Sequence, residues 1–335
     1  MRHEMAEQPE VLARIVDQAG EIRDRVRAVV PSLLDGICFV GRGSSDNAAM
    51  LGRYACELAA HRPAGLAAPS LHTRYSSAVD YSGYLVVGLS QSGATPEVVS
   101  TCERLRANGA VVVAITNDEE SALAGACNLA LSTGAGQELA VPATKTVTAE
   151  MALVLILASA LGDGLPGRGE LGPLAHAVSA VLADELSPAA LAESWAGYER
   201  LLVTARGLAY AAALETALKV KETGRVFAEG MSMADLLHGP IAAAGVDLPV
   251  LAIDGGGPIA KDARDLVRRL EELGAPVATC SPASPSTLPM PSGLDEVVYT
   301  ILATVRGQQL ALYLSLARGL DPDRPSGLTK VTPTH

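Results

Sequence analysis

The chain carries one pattern of residues twice, at a constant spacing. An apolar run leads into a loop that contains Gly43, and a similar run leads into a loop that contains Gly207. Another apolar run ends at Leu89, and its counterpart ends at Ile253. Gly207 follows Gly43 at the same distance along the chain as Ile253 follows Leu89, and we call this distance the repeat offset. A shared offset at two separate landmarks indicates an internal duplication, so two similar domains are expected.

Within each copy, apolar runs of strand length alternate with segments of helical length. This alternation predicts an α/β fold with two tandem, doubly wound parallel sheets. The first copy is expected to have strands at 37–40, 84–89 and 111–115 and helices at 5–30, 46–60 and 96–107. The second is expected to have strands at 201–204, 248–253 and 277–280 and helices at 209–227, 259–273 and 296–318.

A stretch rich in glycine and proline at 162–169 marks the expected boundary between the copies. We therefore expect domains at 1–165 and 166–320, followed by a tail at 321–335. The apolar run 151–161 is too short to span a bilayer, and we expect it to form a helix that is buried on all sides.

The composition argues against several classes of partner. The formal net charge is −11, and the aromatic content is only 3%. Nucleic acid and anionic membranes both favour a basic surface, and base stacking needs aromatic rings, so neither partner is expected. The first residues are charged and lack the apolar core of a signal peptide, which predicts a cytoplasmic protein.

The five cysteines predict no disulfide and no zinc site. Their number is odd, and no two of them have the CxxC spacing: Cys38, Cys56, Cys102, Cys127 and Cys280. Reduced, buried thiols are the expected state, and no metal or redox cofactor is expected.

The segment LSQSGATPE at 89–97 joins a predicted strand to a predicted helix. Ser and Thr before a helix can act as caps alone, with Thr95 at the N-cap and proline after it. The same turn can also bind an anion, because backbone N–H groups and the hydroxyls of Ser90 and Ser92 point outward there. The second copy has DGGGP at 254–258 instead, so the fold does not need the hydroxyls, and an anion site is expected in the first copy alone.

A second loop of the first copy could contribute to that site. Gly43, Ser44 and Ser45 follow the strand 37–40, so they are expected at the same edge of the sheet. Neither loop has the GxxxxGK[ST] or GxGxxG pattern, so a nucleotide is not implied.

The predicted first helix of the second copy carries Glu215, Lys219 and Glu222 at positions i, i+4 and i+7, on one face. A solvated stripe of ion pairs is one interpretation. Proton transfer by a carboxylate, with the lysine stabilising oxyanion charge, is the other.

Two residues outside this helix are also candidates. His238 lies before Gly-Pro in a loop, and Lys330 lies in the tail; both are compatible with a functional role but do not establish one.

Six segments together resemble proteins with two sugar isomerase (SIS) domains, whose domains are flavodoxin-like. In chain order they are GRGSSDNAA (41–49), SQSGATPE (90–97), VPATKT (141–146), ALETALKVKE (213–222), LLHGP (236–240) and DPDRPSGLTKVT (321–332). The match spans nearly the whole chain.

The resemblance implies a role for each matching position. It implies that the phosphate of a hexose 6-phosphate is held by Ser45, Ser90, Gln91, Ser92 and Thr95. The other expected substrate contacts are Gly43, Ser44, Arg42, Val141 and Ala143. Arg42 departs from the pattern, because it stands where glucosamine-6-phosphate synthases carry cysteine, and bracing of the loop is its alternative role.

The resemblance also assigns the chemistry. It implies that Glu222 moves a proton between C1 and C2 of the open-chain sugar, with Lys219 beside it. It further implies that His238 opens the ring, that Glu215 orients this histidine and that Lys330 brings the tail over the sugar. Since the histidine is often supplied by a neighbouring subunit, a homodimer is expected.

Within the family, the chain resembles the isomerase half of glucosamine-6-phosphate synthase in outline, but its GRGSSDNAA loop and DPDRP…KVT tail are more similar to the stand-alone glucosamine-6-phosphate deaminases. No cysteine occurs before Cys38, and the residue after the initiator methionine is Arg2, so a glutaminase domain is not expected. The resemblance therefore implies a hexosamine-6-phosphate isomerase and deaminase that converts glucosamine 6-phosphate and water to fructose 6-phosphate and ammonia. Deglycation of a fructosamine 6-phosphate, action on galactosamine 6-phosphate and dehydration of N-acetylglucosamine 6-phosphate stay open. A sugar-phosphate sensor is the non-enzymatic alternative.

Overall fold

The computed structural model describes residues 1–330. The end of the predicted tail, residues 331–335, lies outside the described residues.

Two parallel five-stranded sheets, each flanked by helices, form the framework of the chain. The first sheet consists of β1 (Gly36–Val40), β2 (Ala64–Leu66), β3 (Tyr84–Leu89), β4 (Val111–Thr116) and β5 (Leu129–Ser132), in the order β2-β1-β3-β4-β5. The second consists of β6 (Arg200–Ala205), β7 (Phe227–Ser232), β8 (Val250–Ile253), β9 (Val277–Ser281) and β10 (Leu288–Pro289), in the order β10-β9-β8-β6-β7. The two orders describe the same flavodoxin-like topology, which confirms the predicted fold class.

Fourteen helices connect and cover the strands in the described part of the chain. The first eight are α1 (Arg2–Ala6), α2 (Gln8–Asp17), α3 (Ala19–Arg27), α4 (Ser44–Ala60), α5 (Pro69–Thr73), α6 (Pro96–Ala107), α7 (Ala122–Ala126) and α8 (Lys145–Leu161). The remaining ones are α9 (Leu174–Ala183), α10 (Leu186–Trp195), α11 (Tyr210–Gly224), α12 (Met233–Leu237), α13 (Ala260–Glu272) and α14 (Glu296–Ala317).

The repeat offset recurs in the pairing of the strands. Cys38 of β1 pairs with Val86 of β3, and Leu202 of β6 pairs with Val250 of β8. Each residue of the second pair follows its counterpart in the first pair by the same offset that separates Gly207 from Gly43. The duplication therefore extends from the sequence to the register of the central strands.

The chain divides into two compact units. The N-terminal unit contains Glu10–Glu138, Lys145–Gly169 and, within the described residues, Thr329 and Lys330. The C-terminal unit contains Met1–Pro9, Leu139–Thr144 and Glu170–Leu328. The predicted domain limits at 165 and 320 stay a prediction about independent folding.

The separate pieces of the C-terminal unit are joined by buried polar contacts. The carboxylate of Glu4 accepts hydrogen bonds from the N–H groups of Leu139 and Ala140. Gln308 of α14 donates a hydrogen bond to the carbonyl oxygen of Thr144 over 3.1 Å. These bonds fix the segment 139–144 to the first helix and to the long helix of the unit.

Each unit has one helix that is buried on nearly every side. In the N-terminal unit this is α8, whose residues from Lys145 to Ala160 are all buried, as the apolar run 151–161 predicts. In the C-terminal unit it is α14, which packs closely on α11. A Cβ on Gly307 would lie 2.0 Å from the Thr216 hydroxyl, so only glycine permits this approach of the two helices.

Two predicted helices differ from the observed ones. The segment 5–30 is not one helix; it contains the end of α1 and the whole of α2 and α3. The helix predicted at 209–227 ends at Gly224, because Arg225 has a left-handed conformation with φ 54° and Phe227 already belongs to β7. That strand contains Glu229 and Gly230, so its residues lack the continuous apolar run of a central strand.

Candidate functional site

The loop between β3 and α6 is held in shape by its own hydroxyl groups. Ser90 is buried, and its hydroxyl lies 3.2 Å from that of Thr95. The N–H of Gly93 donates to the carbonyl oxygen of Ser90 over 3.0 Å, which closes the turn. Gly93 has φ 58°, and a Cβ there would lie 2.1 Å from the Ser121 hydroxyl, so no larger residue fits.

Capping alone does not account for this loop. Thr95 occupies the N-cap of α6, and Pro96 follows as the first helical residue, as predicted, but the Thr95 side chain caps no N–H group of the helix. Among the described residues, the backbone N–H groups of Gln91 and Ser92 have no hydrogen-bond partner. The turn thus presents free donors at the positive end of a helix, which suits an anion.

The second loop of the N-terminal unit lies at the end of β1. Gly43 has φ 59°, and a Cβ built on it would meet no atom within 4 Å. Ser44 begins α4, and Ser45 is buried. We call the two loops together, residues 41–45 and 90–95, the first cradle.

Ser45 has a partner that the sequence interpretation missed. Its hydroxyl donates a hydrogen bond of 3.0 Å to the carboxylate of Glu150, which is buried on α8. Glu150 is the only carboxylate between Lys145 and Leu161. A lone acid in an otherwise apolar helix is the signal that could have identified it.

Arg42 connects the first of these loops to the start of α6, the helix that follows the second loop. Its guanidinium lies 2.9 Å from the carboxylate of Glu97, in the first turn of α6. Arg206, which follows Arg42 by the repeat offset, makes a similar ion pair over 2.8 Å with Asp262 of α13, one position beyond the counterpart of Glu97. Because the pair recurs in the copy without the serine loop, it supports the interpretation that Arg42 braces the loop.

The Glu215, Lys219 and Glu222 side chains meet on α11, in the C-terminal unit. Lys219 lies 3.5 Å from the carboxylate of Glu215 and also forms an ion pair with Glu222. The side chains of Lys219 and Glu215 are both only 1% exposed, which excludes a solvated stripe. Thr223 donates to the carbonyl oxygens of Lys219 and Ala311 and so fixes this turn of α11 to α14.

Glu222 differs from its two partners in being accessible. Its side chain is 21% exposed and lines a cavity of about 200 Å³ in the C-terminal unit. Arg225, Asp321 and Arg324 are among the other residues that line this cavity. A carboxylate at the edge of a small cavity, held by a buried ammonium group, is suitably placed to exchange a proton with a bound molecule.

His238 lies apart from this group. It follows α12, its side chain is exposed, and its N–H donates to the carbonyl oxygen of Asp235. No hydrogen bond joins it to Glu215 within residues 1–330, and Glu215 is fully buried. The structure of the single chain therefore does not bring these two predicted partners together.

The remaining predicted residues lie in two places. The Lys330 ammonium lies 2.7 Å from the Glu138 carboxylate, which also accepts a hydrogen bond from the Thr146 hydroxyl at the start of α8. Val141 and Ala143 belong to the C-terminal unit, where the N–H of Val141 donates to the carbonyl oxygen of Asp323.

Two further findings concern the described residues as a whole. In residues 1–330, no three or more His, Cys, Asp and Glu side chains are grouped so that they could hold a metal ion. Over the same range, none of the helices has the length and apolar character needed to cross a membrane.

The chain resembles known proteins over most of its length. Residues 35–160 and 196–303 match the family model described as SIS domain. The isomerizing glutamine–fructose-6-phosphate aminotransferase of Gloeobacter violaceus is 32% identical over 354 residues, covering 98% of this chain and 58% of that protein. The chain thus spans less than two thirds of the length of the curated relatives that it matches.

Solved structures show the same fold. A protein of Silicibacter pomeroyi DSS-3, provisionally assigned as a phosphosugar isomerase, has a TM-score of 0.87 and 29% identity, covering 96% of this chain and 99% of its own. The glucosamine-6-phosphate deaminase of Thermotoga maritima has a TM-score of 0.73 and 23% identity, covering 97% of this chain and 99% of its own.

Proposed function

This chain belongs to the SIS domain family, and we propose that it is a hexosamine-6-phosphate isomerase and deaminase. The proposed reaction converts glucosamine 6-phosphate and water to fructose 6-phosphate and ammonia. The observation that carries the proposal is the group on α11, in which the fully buried Lys219 pairs with the accessible Glu222. Sensing a ligand would not require a buried ammonium beside an accessible carboxylate.

We assign the phosphate of the substrate to the first cradle. Its donors are the hydroxyls of Ser90, Ser92 and Thr95 and the free N–H groups of Gln91 and Ser92. The positive end of the α6 dipole lies behind them. Ser45 also belongs to this cradle, but its hydroxyl donates its proton to Glu150 and is not counted among the phosphate donors. A phosphate is compatible with an acidic chain because these groups act locally.

Proton transfer is assigned to Glu222. The carboxylate removes the proton from C2 of the open-chain amino sugar and returns it to C1. A proton from the C2 amine passes to O1, so the C1 aldehyde becomes an alcohol and an imine is left at C2. Water then adds to the imine, and ammonia leaves, so the product is the ketose. The Lys219 ammonium lies where it can stabilise negative charge that develops during the transfer.

Ring opening is assigned to His238 in a homodimer. Its exposed position after α12 is compatible with action on the site of a neighbouring subunit. In this proposal Glu215 and Lys330 hold the surrounding groups, Glu215 through Lys219 and Lys330 through Glu138. Fructose 6-phosphate and isomerisation also appear in the name of the relative from Gloeobacter violaceus, which supports this substrate class.

The test is to incubate the full chain with glucosamine 6-phosphate and to measure both products. We expect equal amounts of fructose 6-phosphate and ammonia, and we expect Glu222→Gln to lower kcat by about 10²-fold or more. Glu229→Gln is the control, because Glu229 is an exposed acid of the same unit outside this site.

Two outcomes would contradict the proposal. One is the absence of both products with the folded wild-type chain. The other is a Glu222→Gln variant as active as the Glu229→Gln variant. Loss of water instead of ammonia from N-acetylglucosamine 6-phosphate, detected by mass spectrometry, would identify a dehydratase.

A further inference from the structure

The C-terminal unit has a counterpart of the first cradle. Its two loops, residues 206–209 after β6 and 254–259 after β8, form what we call the second cradle. Gly207 has φ 63° and is the counterpart of Gly43. Gly257 has φ 65° and follows Gly93 by the same repeat offset. The backbone that shapes the first cradle has therefore been kept in the second.

A carboxylate of the chain itself occupies the second cradle. A Cβ on Gly207 would lie 3.2 Å from one oxygen of Glu296, and a Cβ on Gly257 would lie 2.6 Å from the other. Burial raises the pKa of the Glu296 carboxyl, and the backbone N–H of Leu208, next to Gly207, opposes that rise. Glu296 is only 7% exposed, although it is the first residue of α14.

The first cradle has a different arrangement, in which a carboxylate of the chain contacts Ser45 and not the two corresponding glycines. Gly43, the counterpart of Gly207, would meet no atom within 4 Å if it carried a Cβ. Gly93, the counterpart of Gly257, faces the hydroxyls of Ser121 and Thr116 instead of a carboxylate. The carboxylate of Glu150 reaches Ser45 on α4, one position beyond the start of that helix.

A second acid completes the second cradle. Asp254 is the counterpart of Ser90 at the repeat offset. Its carboxylate accepts hydrogen bonds from the N–H of Gly256 over 2.9 Å and from the hydroxyl of Ser281 over 3.1 Å. A loop donor of the second cradle is thus already engaged. The added negative charge would repel a doubly charged phosphate.

We propose that the second cradle is an anion-binding site whose ligand is the chain's own Glu296 carboxylate, so that only the first cradle is open to an external anion. The site takes a small monoanionic carboxylate, and formate has the size and charge of the group that Glu296 supplies. The inference rests on the proposed function only where it assigns phosphate to the first cradle.

The experiment removes the internal ligand and supplies an external one. The variant is Glu296→Ala, and the matched control is Asp295→Ala, which removes the same charge from the neighbouring N-cap residue. Asp295 is exposed, and its side chain caps no N–H group. The Tm of each full-length chain is measured against formate concentration, with chloride holding the ionic strength constant.

We expect formate to raise the Tm of the Glu296→Ala chain by several degrees and with saturation, as binding to the folded state alone requires. The wild-type and Asp295→Ala chains should respond no more to formate than to chloride. A Glu296→Ala chain that responds like Asp295→Ala overturns the proposal.

Refolding provides a second measurement if Glu296→Ala does not fold in chloride. Recovery of the folded chain after dilution from urea into formate, but not into chloride, supports the proposal, and failure in both salts overturns it. Neither measurement depends on turnover, so a negative result here leaves the test of Glu222 intact.

Discussion

Lys219 is a buried cation with an acid on each side of it along the same helix. Its ammonium group lies against Glu215 and Glu222, and its side chain is only 1% exposed. Burying a charge is costly unless a partner compensates it, so the three residues depend on one another. The group is therefore expected to be essential to the stability of α11 as well as to the proposed reaction.

Replacing the lysine tests this dependence. We expect Lys219→Met to lower the free energy of unfolding by about 3–5 kcal/mol, because it removes a buried cation that lies 3.5 Å from the buried Glu215 carboxylate. Urea denaturation followed by circular dichroism measures the loss.

Lys261→Met is the matched control for that change. Lys261 also forms an i,i+4 ion pair, with Asp265, but its side chain is 78% exposed. Exposed pairs contribute little, so its effect should be far smaller. Equal losses in the two variants would show that burial does not determine the strength of the α11 group.

At the scale of the elements, α4 and α11 each end in a residue that is left-handed but is not glycine. His61, the C-cap of α4, has φ 51°. Arg225, its counterpart at the repeat offset and the C-cap of α11, has φ 54°. Helices commonly end with a left-handed residue, and glycine is favoured there because it has no Cβ. Both helix ends therefore carry a side chain at a position where glycine would be less strained.

Substitution by glycine tests the strain at both ends. We expect His61→Gly and Arg225→Gly each to raise the free energy of unfolding by up to about 1 kcal/mol, since glycine adopts positive φ without penalty. Thermal or urea unfolding of the two variants measures the gain.

Ala28→Gly is the control, because Ala28 caps α3 with an ordinary φ of −67°. There glycine should lower the stability, since it only adds freedom to the unfolded chain. A loss of stability in Arg225→Gly would indicate that the Arg225 side chain makes a stabilising contribution larger than the strain.

The central strands could be predicted from the sequence, whereas the edge strands could not. β3 and β4 are continuous apolar runs because helices cover both faces of a parallel sheet. β2 has only three residues, and β10 has only two. Such short strands are fixed by their pairing with a neighbour, and periodicity does not reveal that pairing.

The loops of the candidate site were predictable for the same reason, since they follow central strands. Their partners were not. Glu150 reaches Ser45 across 105 residues of chain, and Glu296 lies against Gly207 and Gly257 from the start of a distant helix. Such contacts depend on how elements pack, and local sequence carries only a weak sign of them, such as an acid within an apolar helix.

At the scale of the whole molecule, the free thiols report on the integrity of the two cores. Four of the five cysteines are buried, and Cys127 is partly exposed. Burial raises the pKa of the Cys38 thiol to about 11 and that of the Cys280 thiol to about 12. A hydrogen bond with Cys127, together with burial, also raises the pKa of Cys102.

The four buried thiols should be unreactive in the folded chain. The thiolate is the nucleophile, and burial both disfavours the thiolate and blocks access to it. With Ellman's reagent at pH 8, we expect at most one thiol per chain to react in the native state and all five to react in denaturant. Cys127→Ser should abolish the native reaction and leave four thiols in the unfolded chain. Native labelling of two or more thiols would mean that at least one of the cores around Cys38, Cys56, Cys102 and Cys280 opens readily.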